Sequence, residues 1–187
     1  MRQGLALVAP VLALFMVSSA TRDVNLATMN FMGFDMILYR VDSLSFIFGL
    51  AFLIAAFLNA IYALHQDSRL EDSSALIYSG AAVAAAFCGD FVTLFVYWEL
   101  TAISSVFLIL NTGTMASYKA AMRYLGIQVL SGVLLLFGGM EVYQSTGDLS
   151  LRALDLGEPG TWLILIAFGI KAAFPLLHNW LQDAYPK

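Results

Sequence analysis

The chain has 187 residues, of which 60% are hydrophobic and only 12% are charged. This composition, with a mean hydropathy of +0.81, excludes an ordinary soluble domain and is typical of an integral membrane protein. The formal net charge is −4 and the basic residues are dispersed along the chain, which argues against a nucleic-acid partner.

Six apolar blocks predict membrane-spanning helices, because a helix needs about 20 mainly apolar residues to cross roughly 30 Å of hydrocarbon. The predicted fold is therefore all-α: a single transmembrane domain over residues 1–187, polytopic, with about six membrane spans. The short connections Gly89-Asp90 and Asn111-Thr112-Gly113 require antiparallel neighbouring helices. The blocks are residues 4–20, 42–64, 74–89, 91–111, 118–142 and 161–181.

The first block also fits a signal peptide, since Arg2 gives a basic start and residues 17–20 (Val-Ser-Ser-Ala) resemble a cleavage site. The five further blocks favour a retained helix. Residues 21–41 are too polar to span, and the partial alternation of residues 34–39 predicts a short strand or a loop on the membrane surface. Residues 65–73 and 144–160 are predicted hydrophilic loops.

The distribution of basic residues predicts the orientation of the chain. Five lie on one side of the alternating helices and three on the other, so the positive-inside rule favours a cytoplasmic N-terminus. The five are Arg2, Arg69, Lys119, Arg123 and Lys187, and the three are Arg22, Arg40 and Arg152.

The sequence predicts no cofactor and no metal. Its single cysteine, Cys88, lies in an apolar run without the Cys or His neighbours that a metal site needs. Phosphate-binding and zinc-protease motifs are absent, so the chain is expected to bring no nucleotide site.

Glu99 stands at the ninth position of the fourth block, near the middle of the bilayer. An ionisable group there costs about 2.5–3.5 kcal/mol on insertion scales, so it needs a partner, a water-filled cavity or a protonated state. Each of these suits proton transfer. The structural alternative is a hydrogen bond between packed helices.

Lys171 lies in the middle of the last block, where burial and nearby charges make a lysine able to bind and release a proton. Pro175, four residues later, provides no N–H for the Lys171 carbonyl and predicts a broken helix near Lys171–Pro175. The alternative is an ordinary proline kink. His178 would share a face with Lys171 in an unbroken helix, as a proton relay or as a simple hydrogen-bond partner.

Other polar residues carry less specific predictions. Lys119 and Arg123 begin the fifth block, where Lys119 fits an interfacial anchor and Arg123 could bias the electrostatics around Glu99. Asp90 and Glu141 are expected at the interface. The mid-membrane side chains of Thr101, Gln128 and Ser131 either hold water or join helices.

Three ordered motifs resemble the antiporter-like subunits shared by respiratory complex I, Mrp-type cation/proton antiporters and membrane-bound hydrogenases. Residues 40–45 (RVDSLS) resemble the start of the family's third helix, and residues 89–100 (GDFVTLFVYWEL) its glutamate-bearing fifth helix. Residues 171–186 (KAAFPLLHNWLQDAYP) resemble its broken seventh helix. Asn179 and Gln182 depart from the family pattern and favour an Mrp-type branch.

The resemblance implies a pathway in which Glu99 modulates Lys171 and His178 passes the proton onward. It also implies about fourteen helices in two inverted bundles, so this chain resembles the N-terminal half of such a subunit. Expected partners are other hydrophobic subunits, including a chain supplying the second bundle, together with protons, Na⁺ and the lipid bilayer. The expected location is the bacterial inner membrane.

Three functions remain open from the sequence. The first is a proton-translocating subunit of a multisubunit Na⁺/proton antiporter, using the Glu99 and Lys171 pair. The second is a proton-pumping membrane-arm subunit of an NADH:quinone oxidoreductase or a membrane-bound hydrogenase. The third is a structural fragment that inserts into the membrane but conducts nothing.

Overall fold

The computed structural model describes residues 2–22, 24–65 and 68–184, and most of these residues are helical. Lys187, counted in the prediction of orientation, and Tyr185 and Pro186, at the end of the third motif, lie outside the described residues. In chain order the elements are α1 (Arg2–Ser18), β1 (Val24–Phe31), β2 (Phe34–Val41), α2 (Ser43–Tyr62), α3 (Arg69–Phe87), α4 (Phe91–Leu110), α5 (Met115–Thr146), α6 (Thr161–Lys171) and α7 (Asn179–Ala184).

Three helices of the described chain are long and apolar enough to cross a membrane. They are α2 with the 3₁₀ turn that extends it to His65, then α4 and α5. The apolar parts of α1 and α6 are shorter, spanning Ala6–Ser18 and Thr161–Lys171. The molecule is thus a mostly helical, membrane-embedded protein, in which each predicted block forms a helix over most of its length.

The expectation of an all-α fold is wrong for residues 24–41, which form an antiparallel β-hairpin. Of the strand or loop predicted over residues 34–39, the strand forms as β2, and β1 pairs with it from Val24↔Val41 to Phe31↔Phe34. The two-residue turn has positive φ angles at Met32 (52°) and Gly33 (88°), as the tight turns that match strand twist require.

The predicted loop over residues 65–73 is wrong in its second half, because α3 begins at Arg69. The Ser68 hydroxyl accepts a hydrogen bond from the Glu71 backbone N–H at 3.3 Å and caps the helix. Glu71 and Asp72 then lie in the first turn, where the helix dipole favours negative charge. The Ser68 cap and the acidic first turn therefore let the helix begin before its apolar residues.

The hairpin, the α3–α4 turn and the α5–α6 loop meet at one end of the helices, here called the hairpin side. The Gly89 N–H donates to the Ile37 carbonyl at 2.9 Å, and the Leu151 N–H donates to the Gly89 carbonyl at 2.7 Å. Asp90, expected at the interface, is completely buried at this junction. It accepts from the Ile37 N–H at 2.7 Å and from the Thr93 N–H at 2.8 Å, so it ties β2 to the start of α4.

The opposite end of the bundle, here called the turn side, carries the α2–α3 and α4–α5 connections. The Asn111 side chain joins them, since its amide donates to Glu71 at 2.9 Å and its oxygen accepts from Ser68 at 3.2 Å. Helices α3, α4 and α5 therefore run antiparallel to their neighbours in the chain, as the short connections predicted.

Glycines of α5 allow its close packing against α4 and α6. A Cβ at Gly138 would lie 2.6 Å from Ile164 Cγ1, and a Cβ at Gly139 would lie 2.8 Å from Phe91 Cβ. Small residues at such crossings bring helix backbones together, which is the usual source of stability between helices in lipid. This packing fixes the position of α6 against α4 and α5.

Candidate functional site

The predicted helix break is confirmed: α6 ends at Lys171, and the chain is not helical again until Asn179. The Phe174 N–H donates to the Gly169 carbonyl at 2.8 Å and the Ala173 N–H to the Ile170 carbonyl at 3.1 Å, with Ala173 at a positive φ of 54°. These are the paired bonds of a Schellman helix end, and Pro175 follows directly beyond them.

The break places Lys171 near the middle of the membrane. Helix α6 starts on the hairpin side and has 11 residues, so it rises about 16 Å, roughly half of a ~30 Å hydrocarbon layer. Glu99 is the ninth residue of α4, which starts on the same side. The two ionisable residues therefore lie at similar depth.

The half-buried Lys171 side chain forms hydrogen bonds to two oxygen atoms of α4. Its Nζ donates to the Thr101 hydroxyl at 2.9 Å and to the Trp98 carbonyl at 3.1 Å, and it lies 4.9 Å from the centroid of the Trp98 ring. The Thr101 hydroxyl itself donates to the Trp98 carbonyl at 2.7 Å. Lys171 thus contacts neutral oxygens and an aromatic face.

The Glu99 side chain lies against α5 rather than against Lys171. A methyl group at Gly132 would overlap Glu99 Oε1 and would lie 2.9 Å from its Cδ, so only glycine leaves room for this carboxylate. Among the described residues Oε1 is buried and has no hydrogen-bond partner. The structural alternative, a hydrogen bond between packed helices, is therefore not formed at this atom.

Trp98 connects the two ionisable residues. It precedes Glu99 in the chain, its carbonyl binds Lys171, and its indole N–H donates to the Ser131 hydroxyl of α5 at 2.9 Å. Its ring meets Phe168 of α6 edge-on, with centroids 4.9 Å apart. Glu99 and the binding partner of Lys171 therefore lie on the same packed segment of α4.

Two half-open pockets border Lys171. One, of about 520 Å³, also touches Arg40 and Asp42 on the hairpin side. The other, of about 490 Å³, also touches Gln128 and extends to Trp180 on α7. The lysine stands where these two spaces approach each other.

The three mid-membrane polar residues have different roles, which their sequence positions did not distinguish. Thr101 binds Lys171 and Ser131 binds Trp98, so both join helices. Gln128 is completely buried, and neither its amide nitrogen nor its amide oxygen has a hydrogen-bond partner among the described residues.

The remaining predicted residues lie toward the turn side. His178 precedes α7, and its backbone carbonyl accepts from the Leu181 N–H at 2.9 Å. The seven-residue spacing from Lys171 does not put the two on one helix face, because the segment between them is not helical. Lys119 is exposed on α5, and Arg123, with 62% of its side chain exposed, forms an ion pair with Asp183. Pro175 lies exposed within the break.

No group of three or more His, Cys, Asp or Glu residues comes together to hold a metal ion in the described ranges. Cys88 is buried near Phe91 and Leu94, in the packing role that its apolar neighbours indicated.

Comparison with known proteins gives consistent matches. The family model described as NADH:quinone oxidoreductase/Mrp antiporter, transmembrane, matches residues 88–187, more than half of the chain. A Na⁺/H⁺ antiporter subunit of Bacillus subtilis (strain 168) is 28% identical over 165 residues, covering 80% of this chain and 33% of that protein. An NADH-quinone oxidoreductase subunit of Roseiflexus castenholzii is 31% identical over 170 residues, covering 78% and 34%.

The fold has a counterpart among solved structures. A protein chain of respiratory complex I from Thermus thermophilus with bound aureothin superposes with a TM-score of 0.77 at 23% identity, covering 98% of this chain and 41% of that one. The present chain spans about a third of the length of the curated relatives it matches. On these grounds the chain belongs to the NADH:quinone oxidoreductase/Mrp antiporter transmembrane family.

Proposed function

We propose that this chain is a proton-translocating subunit of a multisubunit Na⁺/proton antiporter, in which Lys171 carries the proton and Glu99 modulates it. The observation that carries the proposal is the position of Lys171, at a helix end near mid-membrane with neutral hydrogen-bond partners. A lysine in hydrocarbon is costly and marks an ion pathway by default.

The surroundings of Lys171 suit a group that changes its protonation state. The Thr101 hydroxyl accepts from an ammonium, and by rotating it can donate to a neutral amine. A negative Glu99 nearby stabilises the ammonium form, and protonation of Glu99 removes that stabilisation. The carboxylate has no hydrogen-bond partner at Oε1 among the described residues, so no hydrogen bond stabilises its negative charge there.

We infer six membrane crossings, formed by α1 to α5 and by the broken segment of α6 and α7, with the turn side in the cytoplasm of a bacterial inner membrane. The chain then works in a complex with other hydrophobic subunits, and helices beyond those described here continue the path.

One alternative has support of its own, because relatives include subunits of NADH-quinone oxidoreductase. In that assembly the same residues pump protons driven by electron transfer elsewhere. Purification of the native complex separates the two: small hydrophobic partners without redox centres support the antiporter, whereas partners with iron–sulfur clusters or flavin support the oxidoreductase.

The Glu99→Gln variant tests the modulating role. We expect Na⁺-induced proton flux in everted vesicles carrying the complete assembly to fall by roughly tenfold or more, because the amide keeps the shape but not the charge. Glu141→Gln, which removes the same charge from an exposed site on α5, is the matched control and should retain the wild-type rate. Equal rates for Glu99→Gln and wild type would refute the assignment of Glu99.

Gly132→Ala tests whether the position of the Glu99 carboxylate matters. The new methyl group displaces Glu99 Oε1, so we expect a severalfold loss of proton flux while the amount of folded assembly is unchanged. Gly126→Ala, on the same helix with open space around it, controls for a general effect of alanine. Similar flux in both variants would show that this contact has no functional role.

A further inference from the structure

An open space separates α1 from α3 in the half of the membrane next to the hairpin. Both helices pack against α2, and between them lies a half-open pocket of about 510 Å³, here called the α1–α3 groove. Its lining is mainly apolar and includes no charged residue of the described chain. Residues that define it are Ala13 and Met16 of α1, Leu53 of α2, and Gly80, Val83 and Phe87 of α3.

The α1–α3 groove is about one lipid leaflet deep. Along α3 it extends from Phe87 on the hairpin side to Leu76, about 16 Å away, which is roughly half of a ~30 Å hydrocarbon layer. Toward the turn side the space between the same helices narrows to about 30 Å³ near Ala60 and Asp72. A spanning helix would need space through the whole membrane, whereas the acyl chain of a lipid ends near the middle. The depth of the groove therefore favours a lipid.

Gly80 lines the α1–α3 groove without a protein neighbour in front of it. A Cβ at this position would meet no other part of the described chain within 4 Å. Small residues on membrane helices let another group approach the backbone closely. A gap that stayed empty would lose the dispersion contacts of all the residues around it, so an apolar occupant from the bilayer is favoured.

A positive charge lies at the hairpin-side end of the groove. The Arg22 guanidinium is 4.0 Å from the centroid of the Phe46 ring, and Phe46 packs against Val17 and Phe87, which line the groove. Arg22 is exposed and forms no ion pair with a carboxylate of the described residues, whereas the other two arginines of this side are paired. A guanidinium binds phosphate oxygens through two parallel hydrogen bonds.

We propose that the α1–α3 groove binds one phospholipid of the hairpin-side leaflet, with an acyl chain between α1 and α3 and the headgroup phosphate at Arg22. The acyl chain supplies the contacts that Gly80 lacks, and the phosphate supplies an anionic partner for Arg22. Phosphatidylglycerol should bind more tightly than phosphatidylcholine, because no choline cancels the charge of its phosphate. This site is separate from Lys171 and Glu99 and does not depend on the proposed function.

Photo-crosslinking in the complete assembly maps the acyl chain. Phosphatidylglycerol with a diazirine midway along one acyl chain is incorporated, loosely held lipid is removed in detergent, and the sample is irradiated. We expect label on peptides of α1 and α3. Gly80→Leu fills the groove and should reduce this labelling severalfold, whereas Gly126→Leu, at a glycine of α5 that also has open space in front of it, should label like wild type.

Native mass spectrometry of the same assembly tests the headgroup contact. Arg22→Gln should weaken retention of phosphatidylglycerol roughly tenfold, because a charge-assisted hydrogen bond to phosphate is lost. Arg69→Gln, which removes an exposed arginine from the turn side, is the matched control and should retain lipid like wild type. Unchanged retention in Arg22→Gln would overturn the assignment of the phosphate to Arg22.

Thermal unfolding gives a readout that does not depend on the label. Removing lipid should lower the unfolding midpoint of wild type and of Gly126→Leu, and added phosphatidylglycerol should restore it, with a smaller change in Gly80→Leu. Unlabelled α1 and α3 peptides, as expected if a helix of a neighbouring subunit covers the groove, would overturn the inference, and so would equal labelling of Gly80→Leu and wild type. Lys171→Met should keep the lipid, so failure of the proposed function leaves this inference standing.

Discussion

Replacing Lys171 by methionine is expected to reduce proton translocation to the background of vesicles that lack the assembly. Methionine has a similar length but no proton to carry, and it leaves the Thr101 hydroxyl and the Trp98 carbonyl without the ammonium. Removing a charge from mid-membrane spares about 2.5–3.5 kcal/mol of insertion cost, so assembly should not suffer. Proton flux and the amount of assembled complex are measured on the same vesicles.

Two further variants separate the loss of the proton carrier from the loss of a lysine elsewhere and from the loss of the positive charge. Lys119→Met removes a lysine from an exposed site on α5 and should keep wild-type flux. Lys171→Arg keeps the positive charge but cannot release its proton at any physiological pH, so it should be as inactive as Lys171→Met. An active arginine variant would mean that Lys171 serves as a fixed charge.

Replacing Asp90 by alanine is expected to cause the largest loss of stability among the variants considered. The completely buried carboxylate caps α4 and binds the Ile37 N–H, the Thr93 N–H and the Thr93 hydroxyl. Loss of a helix cap costs about 1 kcal/mol, and an unpartnered buried N–H adds roughly 1–3 kcal/mol. A total of about 2–4 kcal/mol should lower the midpoint of thermal unfolding of the purified protein clearly.

The control for Asp90→Ala is Asp35→Ala, in the exposed part of the hairpin, where the carboxylate binds the Asn30 side chain at 2.8 Å. We expect a negligible change there. Asp90→Asn should be intermediate, because an amide oxygen still accepts one of the hydrogen bonds. If Asp90→Ala unfolds at the same temperature as Asp35→Ala, Asp90 does not join the hairpin to the bundle as described.

Helices and the break between α6 and α7 were predictable because their causes are local. The thickness of the bilayer sets how many consecutive apolar residues a spanning helix needs, and proline lacks the N–H that would bind the Lys171 carbonyl in a continuous helix. The hairpin was foreseen only in β2, since β1 has weaker alternation and depends on its pairing with β2. The start of α3 at Arg69 was missed because a capping serine outweighs the polarity of the first turn.

The sequence was enough to identify the ionisable residues of the candidate site, but not the residues that they contact. Glu99 and Lys171 stand out from an apolar background because charge is costly in lipid. Their separate partners, Gly132 on one side and Thr101 on the other, depend on how α4, α5 and α6 are rotated against one another. The spacing of apolar residues in the sequence does not determine how these helices are rotated. Only the three-dimensional structure therefore shows that the Gln128 amide lacks a partner among the described residues.

Measuring the protonation state of Lys171 is the most direct test of whether this residue carries the proton. In ¹⁵N-lysine-labelled assembly in lipid nanodiscs, the Nζ resonance that disappears in Lys171→Met identifies this side chain. We expect that resonance to change between ammonium and neutral amine across the pH range in which the assembly transports protons. A resonance that stays in the ammonium form throughout that range would contradict a proton-carrying role for Lys171.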